Sequence, residues 1–107
     1  MNMNLEEASM NFDSENVRPF LERLKPLIES GFSDEEILQV QRMMEVLKID
    51  DEKELEFPIR YRGRQTVLRV GIFMDDVNAP DVYFFTDPEL AKEIDKEMEK
   101  FADELGI

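Results

Sequence analysis

Cysteine and histidine are missing altogether from this chain. Their absence removes disulfides, thiolate nucleophiles, the usual zinc ligand sets and the imidazole general base. Glycine is scarce, at 4 residues, and no glycine-rich phosphate loop stands anywhere. Basic residues are outnumbered, 13 against 26 acids, for a formal charge of −13. A field of that sign repels nucleic-acid phosphates and anionic lipid, so direct DNA, RNA or membrane binding is disfavoured. No run approaches the roughly 18 apolar residues of a membrane span. Met1 to Met10 contains Glu6 and Glu7 and lacks the basic and apolar regions of a leader, so a cytoplasmic protein is expected.

At 107 residues the length suits one core and one domain. Apolar residues make up 42% and charged residues 36%, a composition that folds and carries a densely ionic surface. The charge is uneven. Residues 1–53 carry −7 and residues 70–107 carry −8, whereas 54–69 carry +2.

Met1 to Phe12 has no sustained hydrophobic period and reads as a flexible arm, leaving 13–107 as the folded domain. Val17, Phe20, Leu21, Leu24, Leu27 and Ile28 recur at helical spacing, from a start near Asp13 to Asn16 to a stop at Gly31. Pro26 removes a helix hydrogen bond and predicts a bend near Glu22 to Lys25. Ser33-Asp34-Glu35-Glu36 is a capping box for a second helix running to about Lys48. Its apolar face is Ile37, Val40, Met44 and Leu47, widened by Leu38, Met43 and Val46.

The period then changes to two. Leu55, Phe57, Ile59 and Tyr61 alternate with polar residues, and Pro58 predicts an edge strand. After a turn at Gly63, Leu68, Val70, Ile72 and Met74 alternate with Val67, Arg69, Gly71 and Phe73, so this second strand is apolar on both faces. Val82 to Phe85 reads as a third strand. Thr86-Asp87-Pro88-Glu89 predicts a last helix capped by Thr86, with Leu90, Ile94, Met98, Phe101 and Leu105 buried and Gly106 ending it. The expected fold is α+β, in the order ααβββα, a three-stranded antiparallel meander packed with helices. Its core should contain Phe57, Ile59, Leu68, Val70, Ile72, Phe84, Ile94, Met98 and Phe101.

Arg60, Arg62, Arg64 and Arg69 form the one net-positive stretch. By alternation Arg60, Arg62 and Arg69 share a surface, either fork donors for an external carboxylate or phosphate or partners of the chain's own acids. The last helix carries Lys92, Lys96 and Lys100 in one row and Glu89, Glu93 and Glu97 in another, which is an ordinary solvated face or a mimic of nucleic-acid phosphates. Asp75, Asp76, Asn78 and Asp81 lack the glycine and glutamate of a calcium loop and fit a turn better. No metal or other cofactor is expected. The serines, threonines, tyrosines and carboxylates single out no catalytic pair, and a chain this short has little room for a pocket, so no enzyme is expected.

A sheet with hydrophobes on both faces requires cover on both. Either the helices divide between the faces or one face meets another chain. The sequence therefore reads as a non-catalytic acidic module that binds another, possibly basic, protein or a second copy of itself as a homodimer. The binding residues would be Arg60, Arg62, Arg69, Val67, Phe73 and Tyr83, with one of Tyr83 or Phe85 sharing the second sheet face with Val67 and Phe73. Size and acidity are similar to those of bacterial secretion chaperones, immunity proteins and phage inhibitors, a likeness of composition alone. The rival readings are a DNA-mimicking inhibitor of a nucleic-acid-binding protein and a small-anion sensor built on the Arg hairpin.

Overall fold

The computed structural model describes residues 4–106. The elements follow in the order β1 (Glu6–Asn11), α1 (Ser14–Leu24), a 3-10 turn (Lys25–Leu27), α2 (Asp34–Val46), β2 (Glu52–Tyr61), β3 (Arg64–Phe73), β4 (Asp81–Thr86) and α3 (Pro88–Leu105). Together they make a small α+β domain whose four strands form one antiparallel sheet in the order β1-β4-β3-β2.

The three-stranded meander is present as β2, β3 and β4, but a fourth strand extends it. Residues 6–11 of the segment expected as an arm pair with β4, Glu6 opposite Thr86 through Asn11 opposite Asp81. The alternation there is poor in hydrophobes because only Ala8 faces the core squarely, and an Ala gives almost no periodic signal. Phe12 follows and is buried, its ring 4.9 Å from that of Phe20. Met1 to Met3, the start of the same expected arm, lie outside the described residues.

Pro26 ends α1 as a regular helix. The chain tightens into the 3-10 turn at Lys25–Leu27 and is extended by Ile28, short of the expected stop at Gly31. Glu29 and Ser30 then run beside β2: the Glu29 N–H donates to the Arg60 carbonyl at 2.9 Å, and the Arg60 N–H to the Ser30 carbonyl at 3.0 Å. The capping box at α2 forms as expected, with the Ser33 N–H donating to the Glu36 carboxylate at 2.7 Å. At α3 the cap is one residue later than expected. Thr86 finishes β4, fully buried, and its hydroxyl donates to the Val67 carbonyl at 2.8 Å, so Asp87 takes over and accepts the Glu89 N–H at 2.9 Å.

All three helices cover the same face of the sheet. Phe20 of α1 meets Phe84 at 6.0 Å, Phe32 before α2 meets Phe57 at 5.8 Å, and the Tyr61 hydroxyl donates to Glu93 of α3 at 2.5 Å. Every residue of the expected core is buried in one cluster with Val17, Leu21, Leu24, Ile37, Val40 and Leu90. The apolar stripes are narrower than the periodicity implied: Leu38 and Val46 fall outside the buried row of Ile37, Val40 and Met43 on α2 and are exposed, as is Leu105 in the last turn of α3. The division of helices between two sheet faces does not occur.

Candidate functional site

Alternation along each strand sends one set of side chains under the helices and the other to the opposite face. Register then assembles the second set into rows. Glu7, Phe85, Arg69 and Glu56 lie side by side across β1, β4, β3 and β2. Beside them run Ser9, Tyr83, Gly71 and Glu54, then Asn11, Asp81, Phe73 and Glu52. Val67 and Pro58 continue the face on β3 and β2. No helix covers this side among the described residues, and Val67, Phe73, Tyr83 and Phe85 are half-buried there.

The arrangement is ordered by a missing side chain. Gly71 has no Cβ, and one placed there would stand 2.1 Å from the Tyr83 ring. The ring lies over the bare glycine backbone, edge-on to Phe85 with centroids 5.8 Å apart. Burial, with the Glu52 carboxylate that accepts its hydroxyl, pushes Tyr83 up to about 12. A cavity of about 420 Å³ opens beside it, lined by Glu7, Ser9, Asn11, Glu52, Phe73, Asp81 and Tyr83. The chemistry of that lining is aromatic faces and carboxylates, which together receive ammonium or guanidinium groups.

The arginines divide between two surfaces. Arg69 lies on the open face, its Nε 2.7 Å from Glu56 and 3.9 Å from Glu54. Arg60 is on the same face of β2 and pairs with Glu29 at 3.3 Å. Arg62 does not join them. It sits in the two-residue turn with Gly63, both at positive φ, which turns its guanidinium toward α3. There it contacts Glu89 at 2.9 Å and Glu93 at 3.1 Å, above the Tyr61 ring. Arg64 likewise meets Asp87 at 3.1 Å. Three of the expected binding residues, Val67, Phe73 and Tyr83, therefore share a face with Arg60 and Arg69, while Arg62 belongs to the helix side.

Sequence reasoning placed one of Tyr83 or Phe85 on this face, whereas the strand puts both there, two residues apart, and it missed Glu7, Ser9 and Asn11 because their strand was missed. The glutamates at 52, 54 and 56 were visible as a period-two row. The row Glu89, Glu93 and Glu97 on α3 is engaged within the molecule, with Arg62, Arg64, Arg23 and Lys100. Asp76 accepts the Asn78 N–H at 2.8 Å and Asp81 the Asn11 side-chain amide at 2.9 Å, as turn and cross-strand contacts. Among the described residues no group of three or more Asp and Glu side chains is arranged to hold a metal ion, and no helix is long and apolar enough to cross a membrane. No known protein family, curated protein or solved structure matches the chain.

Proposed function

We propose that this chain is a non-catalytic protein-binding module whose open sheet face receives a basic partner protein. The observation that carries the reading is the one-sided helix layer. It leaves Val67, Phe73, Tyr83 and Phe85 without helical cover, beside Glu7, Glu52, Glu54, Glu56 and Asp81. Five carboxylates against two arginines, Arg60 and Arg69, still give the face a net negative charge. An aromatic surface with that rim favours a partner that brings both apolar contact and cations.

Two alternatives fit the charge less well. A homodimer through this face would set the same five carboxylates against their copies, and like charges brought together at an interface are costly. An anion sensor would need free guanidinium forks, whereas Arg60, Arg62, Arg64 and Arg69 each already face a carboxylate. The edge row Glu52, Glu54 and Glu56 keeps mimicry of nucleic-acid phosphates as the second reading.

Affinity capture with the wild-type chain and with Phe73→Ser/Phe85→Ser tests the proposal, the variant's fold being checked by circular dichroism. The expected result is a basic protein held by the wild type, lost from the variant and released by salt, since exposed charges are screened over about 8 Å at physiological strength. Equal capture by both chains would refute the open face as the site. Displacement of the captured protein from DNA would move the reading to mimicry. Sedimentation equilibrium showing a dimer that the variant abolishes would replace the basic partner with a second copy.

A further inference from the structure

The two edges of the sheet are guarded differently. On β2, Pro58 offers no N–H, and the Glu29–Ser30 segment hydrogen-bonds to Arg60, so an incoming strand meets an interrupted edge. On β1 neither device is present among the described residues. Its bonding parity follows from one contact: the Phe12 N–H donates to the Pro80 carbonyl at 3.1 Å, in the register that sets Asn11 opposite Asp81. Even-numbered residues of β1 therefore bond to β4, and the N–H and C=O groups of Glu7, Ser9 and Asn11 point outward. No strand pairs with that side among the described residues.

Beside the same edge, on the helix side, lies a cavity of about 360 Å³ lined by Ser9, Met10, Asp95, Met98, Glu99 and Ala102. A strand laid against β1 would place the residues opposite Ala8 and Met10 over this cavity, and the residues opposite Glu7, Ser9 and Asn11 on the open face. The cavity has an apolar floor, Met10, Met98 and Ala102, and a carboxylate wall, Asp95 and Glu99. That pairing suits a lysine or arginine, whose methylene stem packs on the thioethers while its head stays with the acids. Burial pushes the Asp95 carboxyl up, and Glu99 and Glu6 add to the shift, so a cation there relieves an existing repulsion.

We infer that the outer edge of β1 accepts an extended, basic segment of the partner as a fifth strand, with its alternate Lys or Arg side chains seated between β1 and α3. The inference rests on the reading that the partner is a basic protein and adds the edge that receives it. Main-chain bonds to Glu7, Ser9 and Asn11 supply affinity, and the Met98–Glu99 cavity supplies the preference for long cations. A second copy of this chain is the wrong occupant, because pairing β1 with β1 would bring Glu6, Glu7, Asp95 and Glu99 of two molecules together.

The test uses a capped peptide of alternating Lys and Thr, with a peptide of alternating Glu and Thr as control, followed by amide hydrogen exchange and titration calorimetry. The Lys peptide should bind, slow exchange at Glu7, Ser9 and Asn11, and lose affinity with salt. Ser9→Pro deletes an outward donor without breaking a bond to β4, and it should weaken binding by about tenfold or more with the fold retained. Asp95→Lys/Glu99→Lys should do the same without touching the backbone, whereas Val46→Ser, at an exposed position of α2, should leave this peptide's binding unchanged. Binding that neither protects those amides nor responds to Ser9→Pro would overturn the edge site while leaving the open face in place. Absence of binding, or a peptide-free dimer protected at those amides, would overturn it as well.

Discussion

At Gly71 the ring of Tyr83 occupies the space that any other residue's Cβ would need. This one contact holds the open face in order, because it lays the ring flat on β3 and sets Phe85 edge-on against it. Gly71→Ala should cost about 1 to 3 kcal/mol through overpacking and should lift Tyr83 off the sheet. With no tryptophan and only two tyrosines, intrinsic fluorescence reads Tyr61 and Tyr83 directly. A denaturant midpoint that does not move, with unchanged emission, would show that the stacking is dispensable. A second residue-scale prediction concerns Glu36. The Ser33 backbone N–H, then its hydroxyl, hold that carboxyl below its ordinary value. A carboxyl lowered in the folded state adds stability that is full above the ordinary carboxylate range and is lost as pH falls through the folded value. Glu36→Gln should therefore lower the melting temperature at neutral pH, and the gap from the wild type should close in acid.

The elements owe their ends to local chemistry and their positions to burial. Pro26 could not continue α1, and the freed chain turned into a segment that shields the edge of β2. Asp87 caps α3 because Thr86 was claimed by the sheet, its hydroxyl serving the Val67 carbonyl. Toward its far end the final helix is anchored by Phe101, whose ring lies 5.5 Å from Phe20 and 6.1 Å from Phe12, with the Arg23 guanidinium 5.1 Å from its centroid. Phe101→Ala should cost about 3 to 5 kcal/mol, since it opens a cavity where three elements meet. Because Phe12 directly follows β1, the same substitution should speed amide exchange in residues 6–11, measurable separately from global unfolding. Loss of stability without that acceleration would separate β1 from the α3 anchor.

At the scale of the molecule the excess of negative charge sets the behaviour. The cross-element ion pairs are mostly exposed, and such pairs contribute only about 0 to 1 kcal/mol each. The net charge of −13 repels itself over the whole surface. Salt screens both, but the surplus of like charge outweighs the weak pairs. Thermal melts should therefore rise in midpoint from low to moderate sodium chloride. A midpoint that falls with salt would show that the arginine pairs, not the surplus, dominate the electrostatics.

The sequence by itself determined the α+β class, the three helices, the meander and the core, because each rests on a period or a cap that neighbouring residues carry: 3.6 with Ser33 and Glu36, two with Leu68, Val70 and Ile72. Alternation also put Val67 and Phe73 on one face without any knowledge of packing. Tertiary structure decided what no local window contains. Residues 6–11 became a strand because β4 offered an unpaired edge, although Ala8 alone marks their buried face. Arg62 left the arginine surface because two successive positive-φ residues close the hairpin and aim it at α3. Which face stayed bare was settled by the helices jointly. Their apolar stripes join Phe84 and Val70 in one buried cluster, a single core buries more surface than two thin ones, and the opposite side was left to Tyr83, Phe85 and the carboxylates.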